Sequence, residues 1–195
     1  NRATWSAQVD YDFDASKSKT YLTQIVYDAN SNVIETRRYA NTLNNAWVTG
    51  NAPKLATTTD GSSYVLPDDA RDQRVRTVYD AANRATFVVD GEKYVTQNVY
   101  DDMGHIKSLT RYATPLGGTY TPGTAPQVLE VGAPKPTSGS WVYKSSSATD
   151  IDAGITYGYD NAGRQTSIQV GSNLTINTFD AAGNLTDVKK NKEWL

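Results

Sequence analysis

The dipeptide Tyr-Asp recurs along the chain with the same neighbours. It stands at Tyr27-Asp28, Tyr79-Asp80, Tyr100-Asp101 and Tyr159-Asp160, and Phe179-Asp180 is a variant of it. The successive intervals are 52, 21, 59 and 20 residues, so that long and short spacings alternate. Self-similarity of this kind is typical of repeat architectures, in which small units stack to form one core. We therefore expect stacked copies of one supersecondary unit.

Flanking matches fix the register of the repeats. Arg38-Tyr39-Ala40 and Arg111-Tyr112-Ala113 lie at equal offsets after Tyr27 and Tyr100. We interpret residues 1–195 as a single continuous array, with a partial unit 1–26, units 27–99 and 100–178, and a partial unit 179–195. Because both ends fall inside a unit, we expect a segment of a longer array. Its open terminal strands would associate by strand addition.

The segments between the motifs predict β-hairpins. Runs of about six residues alternate between apolar and polar, and clusters of Gly, Asn and Asp bound them. The motif aspartate can accept backbone N–H groups in the turn, and glycine suits the position of positive φ. The tyrosine supplies a buried ring and a hydroxyl for a backbone partner. The signature residues are Tyr27, Asp28, Tyr79, Asp80, Tyr100, Asp101, Gly104, Tyr159, Asp160, Gly163, Arg164, Phe179, Asp180 and Gly183.

The long intervals contain inserts of a different character. Residues 113–139 hold five prolines and five glycines, and residues 41–72 are rich in Asn, Thr and Asp. Proline cannot donate to a sheet ladder, so the first of these predicts an extended loop lying against the array. Trp47 and Trp141 each belong to an insert. We expect them to pin the loops to the sheet; the alternative is an exposed platform for stacking a sugar.

Composition excludes several classes of function. The formal net charge is −2 and no block of like charge occurs. This charge pattern gives no reason to expect nucleic-acid binding. The sequence has no cysteine and no apolar run long enough for a transmembrane helix. We therefore expect no disulfide, no thiolate metal site and no membrane insertion.

No group of residues points to catalysis or to a cofactor. His105 is the single histidine, and we expect a surface or strand residue. Asp10, Asp12 and Asp14 alternate, and Asp150 to Gly154 is a second acidic stretch, but neither has the spacing of a calcium loop. The arginines 37, 38, 71, 74 and 76 are expected to be solvated edge charges, with an anionic-glycan site as the alternative.

The motifs Tyr-Asp-x-x-Gly-Arg and Arg-Tyr-Ala, with the spacing of 20 or 21 residues, resemble the YD repeats of the RHS (rearrangement hot spot) family. That family includes bacterial RHS proteins, encapsulating subunits of Tc toxins, and teneurins. The resemblance implies an open or spiralling sheet that forms a segment of a shell, in a secreted or surface protein of bacteria. The Asp-Pro cleavage motif that often ends such shells does not occur in this sequence.

Two functions follow as expectations. The first is a non-catalytic structural segment of a β-shell or filament scaffold that encloses or displays an effector. The alternative is an adhesive or carbohydrate-binding array that uses exposed Tyr and Trp faces. The implied partners are the rest of the array or copies of the chain, an encapsulated effector, or a surface glycan. We expect no enzymatic activity.

Overall fold

The computed structural model describes residues 2–10, 19–44, 52–55, 64–147 and 150–191. Every regular element in these ranges is a β-strand, and none is a helix. The strands are β1 (Arg2–Asp10), β2 (Lys19–Tyr27), β3 (Val33–Thr42), β4 (Gln73–Tyr79), β5 (Ala85–Val89), β6 (Tyr94–Tyr100), β7 (Ile106–Pro115), β8 (Gly117–Gly118), β9 (Gln127–Leu129), β10 (Ser140–Tyr143), β11 (Ser146–Ser147), β12 (Asp150–Ile151), β13 (Ala153–Tyr159), β14 (Gln165–Val170), β15 (Asn173–Phe179) and β16 (Leu185–Asn191).

Eleven of these strands form one open antiparallel sheet. Its order is β1-β2-β3-β4-β5-β6-β7-β13-β14-β15-β16, so neighbours in the sequence are neighbours in the sheet except where the chain passes from β7 to β13. This order confirms the predicted all-β array of antiparallel hairpins. The predicted strand at the first residues is also present, since β1 begins at Arg2. No described segment forms a helix that could cross a membrane.

The described residues fall into two compact units by their contacts. The first comprises residues 1–84, 88–93 and 121–124. Its core is the cluster Leu22, Tyr39 and Val65, against which Trp5 and Leu43 pack. The rings of Trp5 and Tyr39 stack with their centroids 5.9 Å apart. Leu22 and Val65 are completely buried; burial of an aliphatic side chain of this size contributes about 1.5–3 kcal/mol.

The second unit comprises residues 85–87, 94–120 and 125–195. Val95, Tyr112, Trp141 and Val142 are its buried apolar residues in β6, β7 and β10. Trp141 lies directly against the backbone of β8: a Cβ added at Gly117 would come within 2.5 Å of the indole Nε1. Glycine is therefore required where the indole crosses the strand.

The inserts contain more regular structure than the sequence predicts. The predicted extended loop 113–139 includes the end of β7, all of β8 and β9, and these short strands pair with β10 in a three-stranded sheet. Within it, β8 is antiparallel and β9 parallel to β10. The expectation of a loop was wrong for these short segments, because their partner strand Ser140–Tyr143 lies beyond the insert and the composition of the insert does not reveal it. The insert 41–72 pairs through isolated bridges of Tyr64 with Asn44 and Lys54.

Candidate functional site

Five tight turns with one hydrogen-bonding pattern connect strands of the large sheet. They begin at Asp28, Asp80, Asp101, Asp160 and Asp180. In each, the aspartate carbonyl accepts the N–H of the third residue after it, and its own N–H donates to the carbonyl of the fourth, at 2.9–3.3 Å. This is a type I turn followed by a residue of positive φ, the usual three-residue hairpin loop.

The residue of positive φ is not always glycine. Gly104, Gly163 and Gly183 occupy this position as predicted, with φ of 77–91°, and Asn83 does so with φ of 59°. In the first turn the position belongs to Ser31, with φ of 68°, which the sequence analysis did not identify. Serine is uncommon in this conformation, so only its place in the repeat register indicates it.

The aspartate carboxylate closes each turn from inside. In the first four turns its Oδ1 accepts the N–H groups of the second and fourth residues after it, at 2.8–3.0 Å. In the fifth, Asp180 Oδ1 accepts the N–H of Asn184 at 2.8 Å. The backbone hydrogen bonds predicted for Asp28, Asp80, Asp101 and Asp160 are thus all present. They satisfy donors that the tight turn leaves without a ladder partner.

The fourth residue after each aspartate also contributes its side chain. Arg84 and Arg164 donate Nε–H to Oδ2 of their aspartates at 2.8 and 2.7 Å. Three other residues occupy this position and contact Oδ2 at 3.0–3.1 Å: Asn32, His105 and Asn184. Of these five residues, only Arg164 is among the predicted signature residues. The signal that identifies the others is their constant offset from the aspartate.

These contacts hold the motif carboxylates in the ionised form. A side-chain hydrogen bond from Asn32 lowers the pKa of Asp28, and one from Asn184 lowers the pKa of Asp180. Backbone N–H groups of Arg84 and Arg164 have the largest effect in lowering the pKa values of Asp80 and Asp160. At Asp101 burial opposes ionisation most strongly, yet the hydrogen bonds and electrostatic attraction from His105, with the hydrogen bond from Met103, lower the pKa.

Successive motifs are connected by the tyrosine hydroxyls. Tyr79, Tyr100 and Tyr159 donate to the carbonyls of Val33, Ala85 and Ile106 at 2.9–3.3 Å. Each acceptor is the residue five positions after the aspartate of the preceding motif, where the next strand begins. Phe179 has no hydroxyl, and the equivalent carbonyl of Gln165 accepts the amide of Asn177 at 3.1 Å instead.

Two further aspartates, Asp72 and Asp152, join the ends of the inserts to β3 and β7. Asp72 Oδ1 accepts the N–H of Ala40 at 2.8 Å, and Asp152 Oδ1 accepts that of Ala113 at 2.9 Å. Both aspartates stand seven residues before a Tyr-Asp pair. This explains the Ala of each Arg-Tyr-Ala motif: its N–H is the anchoring point of the insert. From the sequence, Asp152 is only part of a weak calcium candidate, and no motif marks Asp72.

The tyrosine of each Arg-Tyr-Ala motif is a buried polar anchor. Tyr39 and Tyr112 are 1% and 2% exposed, and their hydroxyls donate to the Oε1 atoms of Gln24 and Gln97 at 2.9 and 2.5 Å. Burial raises the pKa of Tyr39 to about 12 and also raises that of Tyr112. Both phenols are therefore neutral donors at physiological pH.

The arginines differ from the expected solvated edge charges. Arg37 is 9% exposed; its Nε and Nη2 contact Asp72 Oδ2 at 2.8 and 2.5 Å. Arg74 pairs with Asp69, and Arg76 with Glu35. The prediction was wrong for these three, because β3 and β4 are interior strands of the sheet. Arg38 and Arg71 are exposed.

Three other sequence expectations have definite outcomes or limits. Trp141 is 8% exposed, so it pins the insert and does not form a platform for a sugar. His105 lies in a turn, stacked on Tyr159 with centroids 4.5 Å apart. Trp47, Asp12 and Asp14 lie outside the described residues, as does a further Tyr-Asp pair at Tyr11. Within the described ranges no three potential metal ligands come together.

Comparison with solved structures gives matches, and comparison with family models and curated proteins gives none. A chain in the crystal structure of TcdB2-TccC3-Cdc42 aligns with 99% of this chain at 9% identity and a TM-score of 0.33. The aligned region is 11% of that chain, so this chain spans a small part of its length. A similarity at this level does not bear on function.

Proposed function

We propose that this chain is a non-catalytic structural segment of a YD-repeat (RHS-type) secreted or surface protein of bacteria. In this role it forms part of a β-shell or filament scaffold that encloses or displays an effector. The observation that carries the proposal is the set of five turns with the same hydrogen bonds. They begin in five copies of one motif and lie along one sheet.

The repeated contacts suit a wall that grows by adding strands. The carboxylate closes each turn with bonds to its own loop. The tyrosine hydroxyl then connects the motif to the strand that follows the preceding turn. Each motif thus makes hydrogen bonds to the neighbouring repeat, as in repeat proteins in which every repeat packs only against its neighbours.

The partners in this proposal follow from the edges of the sheet. Strands β1 and β16 are its outermost strands, and among the strands that the structure describes each pairs on one side only. A strand with unpaired N–H and C=O groups is a template for another strand. We propose that further units of the same array, or copies of the chain, pair with β1 and β16, and that the other partner is the enclosed or displayed effector.

The test uses the full-length natural protein that contains this sequence. Negative-stain electron microscopy is expected to show a hollow particle or a regular filament, and mild proteolysis should leave the array intact with any enclosed segment protected. Unfolding the array in denaturant should make that segment cleavable at once. A compact particle without a cavity or a regular repeat, together with an effector segment that is cleaved as fast before unfolding as after it, would refute the proposal.

A carbohydrate-binding role remains the second candidate, but fewer aromatic residues are available for it than the sequence suggested. Trp141 is buried and cannot serve it. The observation in its favour is a groove beside the exposed arginines of the first unit.

A further inference from the structure

A groove of about 420 Å³ opens beside Arg38 in the first unit. We call it the Arg38 groove; its lining residues are Tyr21, Arg38, Tyr39, Ala40, Arg71 and Gln73. Its volume lies within the range of small-molecule sites, roughly 300–1,000 Å³. The lining is mainly polar, with one guanidinium at Arg38, another at Arg71, an amide at Gln73 and a tyrosine ring at Tyr21. Polar groups that converge on an aromatic wall suit a hydrated, charged ligand better than an apolar one.

Arg38 supplies an uncommitted charge to this groove. It lies across from Thr23 on β2 and from Gln73 on β4, in the middle of a cross-strand row. Its side chain is exposed, and within the described part of the chain nothing pairs with its guanidinium. The other β3 arginine, Arg37, is fully engaged by Asp72. A planar guanidinium without a partner offers a fork of donors that matches a carboxylate.

Arg71 supplies a second guanidinium that is already held in place. Its Nε donates to Asp68 Oδ2 at 2.6 Å and its Nη2 to Asn41 Oδ1 at 2.9 Å. The side chain nevertheless remains 64% exposed. Because these bonds fix the guanidinium before any ligand arrives, little conformational entropy is lost on binding.

The second repeat shows that the fold does not require this chemistry. The counterpart of Arg38 is Arg111, whose guanidinium carbon lies 5.0 Å from the ring centroid of Tyr94. The positions that match Arg71 and Gln73, eight and six residues before the motif tyrosine, are Ile151 and Ala153. The pairing that sets Ala153 across from Arg111, equivalent to that of Gln73 with Arg38, thus forms without the amide, and the chain passes the other position without an arginine. These residues in the first repeat are available for a role other than folding.

We propose that the Arg38 groove binds an acidic sugar, a uronic acid residue of an oligosaccharide. The sugar carboxylate pairs with Arg38 and approaches Arg71, its hydroxyls bond to the Gln73 amide, and a pyranose face lies against the Tyr21 ring. Saccharide is favoured over a simple anion by the size of the groove and by the ring and the amide beside the charges. This site is independent of the proposed structural role, since a β-shell or filament can form with or without a sugar-binding site.

The experiment is calorimetric titration of the chain with trigalacturonic acid and with its carboxyl-reduced, neutral counterpart. We expect the acidic trimer to bind with a millimolar or lower dissociation constant, more weakly as salt is raised, and the neutral trimer to bind at least about tenfold more weakly. Arg38→Gln should weaken binding of the acidic trimer by about tenfold or more, since hydrogen bonds to charged groups are lost. Arg111→Gln is the matched control and should bind within about twofold of the natural chain. Thermal melts verify that both variants fold.

Three outcomes would overturn the proposal. The first is that the acidic trimer does not bind at about 10 mM, a concentration at which even a weak site is partly filled. The second is that the acidic and reduced trimers bind equally well. The third is that Arg38→Gln and Arg111→Gln weaken binding of the acidic trimer equally. None of them changes the hollow particle or filament expected of the full-length protein, so failure here is distinguishable from failure of the structural proposal.

Discussion

Single buried polar side chains secure the inserts to the sheet of this protein. Asp72 has a fully buried side chain that receives Arg37, the N–H of Ala40 and the N–H of Asp68 at once. A buried carboxylate is tolerated only when its oxygens are satisfied in this way. Its contribution therefore depends on all its partners together, and removal of its charge leaves Arg37 buried with Asp69 as its remaining anion.

Asp72→Asn is expected to destabilise the protein by about 3–5 kcal/mol, the usual effect of removing one partner of a buried ion pair. The asparagine amide keeps the shape of the aspartate side chain. The loss of stability therefore comes from the missing negative charge and from the amide N–H group, a donor that would face the donors of Arg37. Urea unfolding followed by far-UV circular dichroism measures the change. Asp69→Asn is the control: Asp69 is 80% exposed, and its loss should change stability by less than about 1 kcal/mol. Equal effects of the two substitutions would contradict the role given to Asp72.

The absence of a hydroxyl at Phe179 leads to a second prediction. At Ala85 the carbonyl accepts both the Tyr100 hydroxyl and the Asn98 amide, so the two donors are compatible. Phe179→Tyr should therefore add a bond to the Gln165 carbonyl and stabilise the protein by about 0.5–1.5 kcal/mol.

A double-mutant cycle with Asn177→Ala tests this prediction. Asn177→Ala should destabilise the natural chain more than the Phe179→Tyr variant, because in the variant the Gln165 carbonyl keeps one donor. If Phe179→Tyr is neutral and the effects of the two changes are additive, the hydroxyl does not reach that carbonyl.

At the scale of the hairpin, each turn is a self-contained electrostatic element. The Asp carboxylate is an acceptor for two backbone N–H groups, and the fourth residue after it binds Oδ2 whether it is Arg, Asn or His. The turn thus needs a donor at that position and does not need a particular residue. This explains how the motif tolerates sequence change while its geometry stays constant.

The lowered pKa values of the motif aspartates predict how stability depends on pH. A carboxylate whose pKa is lower in the folded state than in the unfolded state contributes stability above its unfolded value, about 3.9, and loses it as the pH falls through the folded value. The urea midpoint should therefore be nearly constant from about pH 7 to pH 5 and fall below about pH 4. Asp160→Asn should weaken this acid dependence. A midpoint that rises on acidification would contradict the sign of these shifts.

How far the sequence predicts these elements depends on the separation of the interacting residues. Turn bonds join residues at most four apart, so the Tyr-Asp register alone locates them. The bond of Asp72 to Ala40 spans 32 residues and that of Asp152 to Ala113 spans 39. The shared place of Asp72 and Asp152 seven residues before a Tyr-Asp pair indicates a common role, but no local pattern identifies a partner so distant. The burial of Trp141 against Gly117 and that of Arg37 in an interior strand depend in the same way on strand order, which local periodicity does not determine.

At the scale of the whole molecule, the sheet has an interior strand with well-buried side chains and an outer strand whose side chains are exposed. Strand β3 contains Ile34 and Tyr39, both nearly fully buried, whereas every residue of β16 is exposed. Strand β16 also carries Lys189 and Lys190, charges of the kind that discourage indiscriminate pairing at a sheet edge. Pairing at this edge would therefore be selective for a complementary strand.

Hydrogen exchange measured by mass spectrometry tests this arrangement. In dilute solution, peptides from β1 and β16 should exchange faster than peptides from β3 and from β15, which is paired on both sides, because outer strands open with a smaller loss of buried contacts. When the protein concentration is raised, strand addition between copies should slow exchange in β1 and β16 while β3 and β15 stay unchanged. If β16 exchanges as slowly as β3 in dilute solution, the edge is already covered. If its rate does not respond to concentration, copies of the chain do not pair through it.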